Sequence, residues 1–189
     1  MRFRLFPWSG GAALTACAVA LGVSTNQNLR SFLVYVLIGT MLFYPLLDRQ
    51  WRPPGLPKQF RNSAAWAFLM LTAAALLAWK PEYFKPGLST LVTAALPEEW
   101  FFRAYFMTSV GFGLQANLTA SLLFSVLHGL TRGWPIAALV FVPSLFYGWL
   151  YQRTRDLPLL VLMHALSNIV FMMFIAAYVD RWFPVIATR

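Results

Sequence analysis

The chain has 189 residues, of which 59% are hydrophobic and only 11% charged, and its formal net charge is +9. A soluble domain carries about 25% charged residues, so this composition excludes the soluble class and marks an all-α, polytopic membrane helix bundle. The fifteen Lys and Arg are dispersed between apolar segments rather than gathered in a stripe. That excludes a nucleic-acid surface and leaves membrane lipids as their neighbours.

In chain order, apolar segments of spanning length fall at about 9–25, 31–47, 63–79, 88–109, 118–130, 135–151 and 157–179. They predict about seven transmembrane helices, or six to eight given the short fifth segment, in one membrane domain over 1–189. The first segment contains Leu14-Thr15-Ala16-Cys17, which resembles a lipoprotein cleavage box after Arg2 and Arg4. However, Pro7, Ser9, Gly10 and Gly11 break the run before the cysteine, and Ala18 to Val23 continue it afterwards. A first transmembrane helix is the reading that fits. Cys17 is the sole cysteine, so there is neither an intrachain disulfide nor a cysteine zinc site. Breakers separate the segments: Asn26-Gln27-Asn28, Pro53-Pro54-Gly55-Leu56-Pro57, Lys80-Pro81, Gly111 with Gly113, Gly133 to Pro135, and Arg155-Asp156 before Pro158.

Basic residues set the expected orientation. Arg49, Arg52, Lys58 and Arg61 crowd the second connection and mark it as cytoplasmic. With seven spans, Arg2, Arg4, Arg153 and Arg155 join them inside, while Arg30, Lys80, Lys85, Arg132, Arg181 and Arg189 fall outside. The N-terminus is expected in the cytoplasm and the C-terminus at the exterior.

Polar residues inside these segments carry the functional signal. Two of the six acids, Glu98 and Glu99, stand side by side in an apolar segment, and the only two histidines, His128 and His164, lie in two others. An ionised group at mid-bilayer costs at least about 2.5–3.5 kcal/mol, so such groups point to function. At a rise of about 1.5 Å per residue, Glu98 should sit roughly 15 Å deep, ten residues after Leu88. His128 and His164 lie similarly well inside their spans, so convergence on one cavity is expected. Glu99 and Arg103 are four apart, the spacing of a helical ion pair. Glu98 points about 100° away and can face a different neighbour. His164 and Asn168, also four apart, present donors to one point, either for chemistry or for interhelical hydrogen bonding. Phe124 and His128 share a face.

Glu98-Glu99-x-x-Phe102-Arg103, then Phe124-x-x-x-His128, then His164-x-x-x-Asn168, in that order, resembles the CPBP family. This is the CAAX-protease and bacteriocin-processing group, also called Abi, of glutamate-type intramembrane endopeptidases. Ser121 to His128 and Gly148 to Arg155 add to the similarity, which covers about residues 90–172. One departure is Ala104, where the family often has glycine after the motif arginine. The resemblance implies that Glu98 acts as general base on a water with help from His128, and that His164 and Asn168 donate to the oxyanion. Glu99, Arg103 and Phe124 would support them. It also implies an integral protein of the bacterial inner membrane that needs no cofactor and no metal. Relatives trim prenylated CAAX proteins, process bacteriocin-type peptides or handle C-terminal sorting tails. A chain with no soluble recognition domain would take a lipidated or hydrophobic-tailed, membrane-associated peptide or protein; its oligomeric state is open. Two alternatives stand beside this reading. One is a zinc hydrolase using His128, His164 and Glu98, although His-Glu-x-x-His is absent. The other is a non-catalytic membrane factor or transporter using the polar cluster as a proton relay.

Overall fold

The computed structural model describes residues 5–54 and 62–182. Arg2, Arg4, Lys58, Arg61 and Arg189 of the charge pattern, and Gly55-Leu56-Pro57 of the second connection, lie outside the described residues. The seven apolar segments are all helical: α1 (Leu5–Val23), α2 (Gln27–Leu47), α3 (Ser63–Trp79), α4 (Pro81–Val110), α5 (Leu114–Arg132), α6 (Trp134–Thr154) and α7 (Leu157–Val179). The chain is an all-α integral membrane protein.

Local chemistry sets the helix ends. Asn26 starts α2 by accepting the Leu29 N–H at 3.1 Å, and Asp156 starts α7 by accepting the Leu159 N–H at 3.0 Å. Pro81, Pro135 and Pro158 stand in first turns, where the missing N–H has no helical partner to lose. Gly133 joins α5 to α6 at φ 99°, a conformation that residues with a Cβ avoid.

Four helices, α1, α2, α6 and α7, are long and apolar enough to cross a membrane by themselves, rather than the seven expected. α3 and α4 meet at 117°, the bend of a broken span or of a re-entrant pair; the contacts below, which bring both outer ends to one side, fit the re-entrant pair. The shortfall has physical causes. α3 has only 17 residues, and α5 carries Gln115, Asn117, Ser121, Ser125 and His128 among its apolar residues.

α4 is the central element, and the stretch Phe101–Met107 is wholly buried. Pro97 interrupts it, since proline lacks an N–H and its ring crowds the carbonyl four residues back. Immediately before it, over Leu91–Ala95, the helix widens and Leu96 N–H bonds the Leu91 carbonyl, five residues back. A second wide stretch covers Trp100–Met107. There the Ala104 carbonyl accepts from Trp51 Nε1 at 3.1 Å and from Thr108 Oγ1 at 2.5 Å. Wide turns of this kind occur often at functional sites.

Contacts order the helix ends. At one end, Ser9 meets Tyr44, Tyr105 donates to Asp48 at 3.3 Å, Gln152 donates to the Gly113 carbonyl at 2.9 Å, and Trp66 Nε1 donates to Asp156 at 3.0 Å. At the other end, Gly22 abuts the Leu130 carbonyl and Trp79 stacks on Phe174. The α2–α3, α4–α5 and α6–α7 connections therefore share one end of the bundle. Gly148 of α6 lies flat on Asn117 of α5, so close that a Cβ would overlap the amide. Exposed Phe32, Tyr35, Phe43, Leu71 and Val142 form part of the lipid-facing surface.

Candidate active site

Glu99 is completely buried and Arg103 is 1% exposed. Arg103 Nε lies 3.3 Å from Glu99 Oε2, the ion pair expected from their spacing. The rest of the guanidinium reaches α6, where Nη2 donates to the Ser144 hydroxyl at 2.7 Å and to the Ser144 carbonyl at 3.1 Å. Its carbon sits 5.0 Å from the Phe124 ring centroid, with Phe102 and Tyr147 each at 5.9 Å. A buried cation is thus held by an anion, a serine and aromatic faces.

The other Glu99 oxygen reaches α7. His164 Nδ1 and Glu99 Oε1 are 2.7 Å apart. Because the carboxylate accepts, Nδ1 carries the proton and Nε2 points elsewhere. It points at Glu98: Nε2 and Glu98 Oε2 are 3.6 Å apart, beyond hydrogen-bond length. The two acids thus share a neighbour, which Glu99 meets in addition to Arg103. They flank one imidazole, Glu99 at one nitrogen and Glu98 at the other.

Two acids and one guanidinium thus share this buried space, with His164 between the acids. Glu98 is the more accessible acid, its side chain 12% exposed against none for Glu99.

His128 of α5 comes to the same place through Phe124. Its ring centroid lies 4.3 Å from that of Phe124, which in turn lies 6.3 Å from His164. His128 Nδ1 is 3.0 Å from the Phe124 carbonyl. A carbonyl only accepts, so Nδ1 is the protonated nitrogen and Nε2 is left as an acceptor. No described hydrogen bond joins His128 to Glu98. Asn168 lies one turn beyond His164, but Nδ2 donates to Thr90 Oγ1 of α4 at 2.9 Å. One N–H of its amide remains for another acceptor.

The structure therefore gathers Glu98, Glu99, Arg103, Phe124, His128 and His164 around one point and ties Asn168 to α4 nearby. It adds residues that the motifs do not contain: Ser144 and Tyr147 on α6, and Thr90. Ser144 and Tyr147, three apart in an apolar helix and thus on one face, were the available signal. Among the described residues, no three His, Cys, Asp or Glu side chains are arranged to hold a metal ion.

A groove of about 420 Å³ runs between α3, α4 and α7. Its lining is wholly apolar and includes Trp66, Leu91, Leu96, Leu157, Val161 and Leu162. Leu96 is two residues before Glu98, and Val161 three before His164.

A family model described as type II CAAX prenyl endopeptidase Rce1-like matches residues 65–170, more than half of the chain. All of the residues gathered above lie within that stretch. No curated protein and no solved structure matches the chain.

Proposed function

As the chain belongs to the type II CAAX prenyl endopeptidase Rce1-like family and is an intramembrane endopeptidase of the CAAX type, we propose that it hydrolyses its substrate by a metal-independent glutamate mechanism. Glu98 is the general base. It takes a proton from a water held also by His128 Nε2, and the water oxygen attacks the scissile carbonyl. The resulting oxyanion meets the proton on His164 Nε2 and the remaining N–H of Asn168. Each such donor lowers the barrier by on the order of 2.7–4 kcal/mol. As the intermediate collapses, Glu98 returns its proton to the leaving amine and the C–N bond breaks. A carboxylic acid and an amine are the products.

One observation carries this reading. His164 is fixed by Glu99 at one nitrogen, and its other nitrogen faces the accessible acid. That arrangement brings base and electrophile within one reacting volume.

The substrate is a lipidated or hydrophobic-tailed peptide or protein, which the wholly apolar groove between α3, α4 and α7 supports. The enzyme lies in a bacterial inner membrane with its N-terminus in the cytoplasm. Terminal proteomics on cells carrying either the unaltered protein or Glu98→Ala tests the proposal. One or more membrane proteins should accumulate uncut in the variant; identical terminal inventories would overturn it.

A further inference from the structure

The reaction drawn above needs the imidazole of His164 to address two carboxylates at once, and hydrogen bonding alone does not secure that. The Glu99 contact pins one nitrogen at 2.7 Å. The ring can still rock about its bond to Cβ, because the terminal torsion of histidine is broad. A few tenths of an ångström of rocking would swing Nε2 off the Glu98 axis, where the separation is already 3.6 Å.

Tyr147 supplies the missing constraint. Its ring lies against His164 with centroids 5.3 Å apart and planes inclined by 32°. Phe124 approaches the imidazole at 6.3 Å and 70°, so two aromatic rings confine it. Tyr147 is itself anchored, since its hydroxyl donates to Ser167 Oγ at 2.7 Å and Ser167 donates to the Met163 carbonyl at 3.0 Å. Both Ser167 and Met163 belong to α7, on either side of His164. The clamp therefore closes on the helix whose histidine it holds. Tyr147 also lies three residues after Ser144, so one face of α6 steadies both basic groups of the cluster: Arg103 by hydrogen bonds, His164 by a ring.

We infer that Tyr147 is a positioning residue for the hydrolysis: it fixes the plane of the His164 ring so that Nδ1 and Nε2 address Glu99 and Glu98 together. The inference rests on the mechanism proposed above. It assigns to the Tyr147 ring an effect on turnover, and to the Tyr147–Ser167 hydrogen bond a smaller effect of the same kind. Misplacing a reacting group by about 1 Å can reduce turnover about 10²-fold.

The test uses the full-length protein, purified in detergent, with a fluorogenic hydrophobic peptide. Tyr147→Leu should lower kcat about 10²-fold with KM within about twofold, whereas Tyr147→Phe should retain most activity because the ring remains. Ser167→Ala, at an exposed position, should lose as little as Tyr147→Phe, and the double variant no more than either alone. A second readout needs no activity. With only two histidines in the chain, selective ¹³C labelling gives two ring resonances, and His128→Gln identifies that of His164. Its ring-current shift should persist in Tyr147→Phe and shrink to the share of Phe124 in Tyr147→Leu. Unchanged kcat in Tyr147→Leu, a loss confined to KM, or an unmoved His164 resonance would overturn the inference. Should Tyr147→Leu fail to fold, fully multiplicative losses in Tyr147→Phe with Ser167→Ala would do so instead. If Glu98→Gln keeps full activity, the mechanism fails, and the resonance still decides whether the clamp exists.

Discussion

Glu99 Oε1 and His164 Nδ1, 65 positions apart in the chain, form a 2.7 Å contact between two fully embedded helices. The same carboxylate pairs with Arg103 through its other oxygen. Glu99 is thus the fixed point of the site, and Glu98 the more accessible of the two acids.

That difference separates two variants. Arg103→Ala leaves Glu99 without its buried counter-charge and should destabilise the protein by about 3–5 kcal/mol. Glu98→Gln keeps the volume and removes the base, so stability should stay nearly unchanged while cleavage is lost. Thermal unfolding in detergent, read beside peptide hydrolysis, checks both. Equal stability losses would reverse the two roles.

His164→Ala and Asn168→Ala should each lower kcat about 10²–10³-fold, as loss of an oxyanion donor does. Combined, they should lose less than the product, because the donors act on one charge. Thr90→Val tests how far Asn168 depends on its partner on α4. It should reduce turnover less than Asn168→Ala, measured in the same assay.

Hydrolysis should survive strong chelation, and elemental analysis of the purified enzyme should find no stoichiometric zinc. Activity lost to a chelator and restored by zinc would favour a metal site built on His128 and His164 instead.

Reporter insertions at Leu56, Gly113 and Arg155 should all mark one side of the membrane, because contacts draw those three connections to one end of the bundle. An insertion at Gly133 should mark the opposite side. On the proposed orientation, read from the basic residues of the α2–α3 connection, the first side should be the cytoplasmic one. A split among the first three reporters would contradict the arrangement.

Much of this architecture is legible in the sequence because hydrocarbon forces the backbone to satisfy itself in helices, so apolar stretches and their breakers mark the elements. Glu99 with Arg103 was equally legible, being a local spacing rule applied to neighbouring turns. His164 with Glu99 was not, since it depends on how two distant helices are rotated about their axes. Counting 100° per residue also fails across α4. The turn before Pro97 and the stretch from Trp100 are both wound wide, which shifts the phase of every face beyond them. Glu98 and Glu99 themselves lie in the regular turn between those stretches, about 100° apart, and meet at one ring because each approaches a different nitrogen of it. Ser144 and Tyr147 escaped notice for a related reason: nothing in their own helix reveals that a guanidinium and an imidazole lie opposite.

The close seat of Gly148 on Asn117 also bears on how a substrate arrives. Asn117 further donates to the Leu145 carbonyl at 2.9 Å, so backbone and amide lock α5 to α6 with no side-chain cushion between them. A greasy peptide of the proposed kind, diffusing sideways in the bilayer, would find no seam to part there. Another flank is built differently: α3 rests on α7 through Leu69, Leu159 and Leu166, an oily contact that another oily chain can replace with little loss. Traffic from the lipid should pass on that side, and tethering α3 to α7 should starve the enzyme of bulky substrates before it harms turnover of short ones.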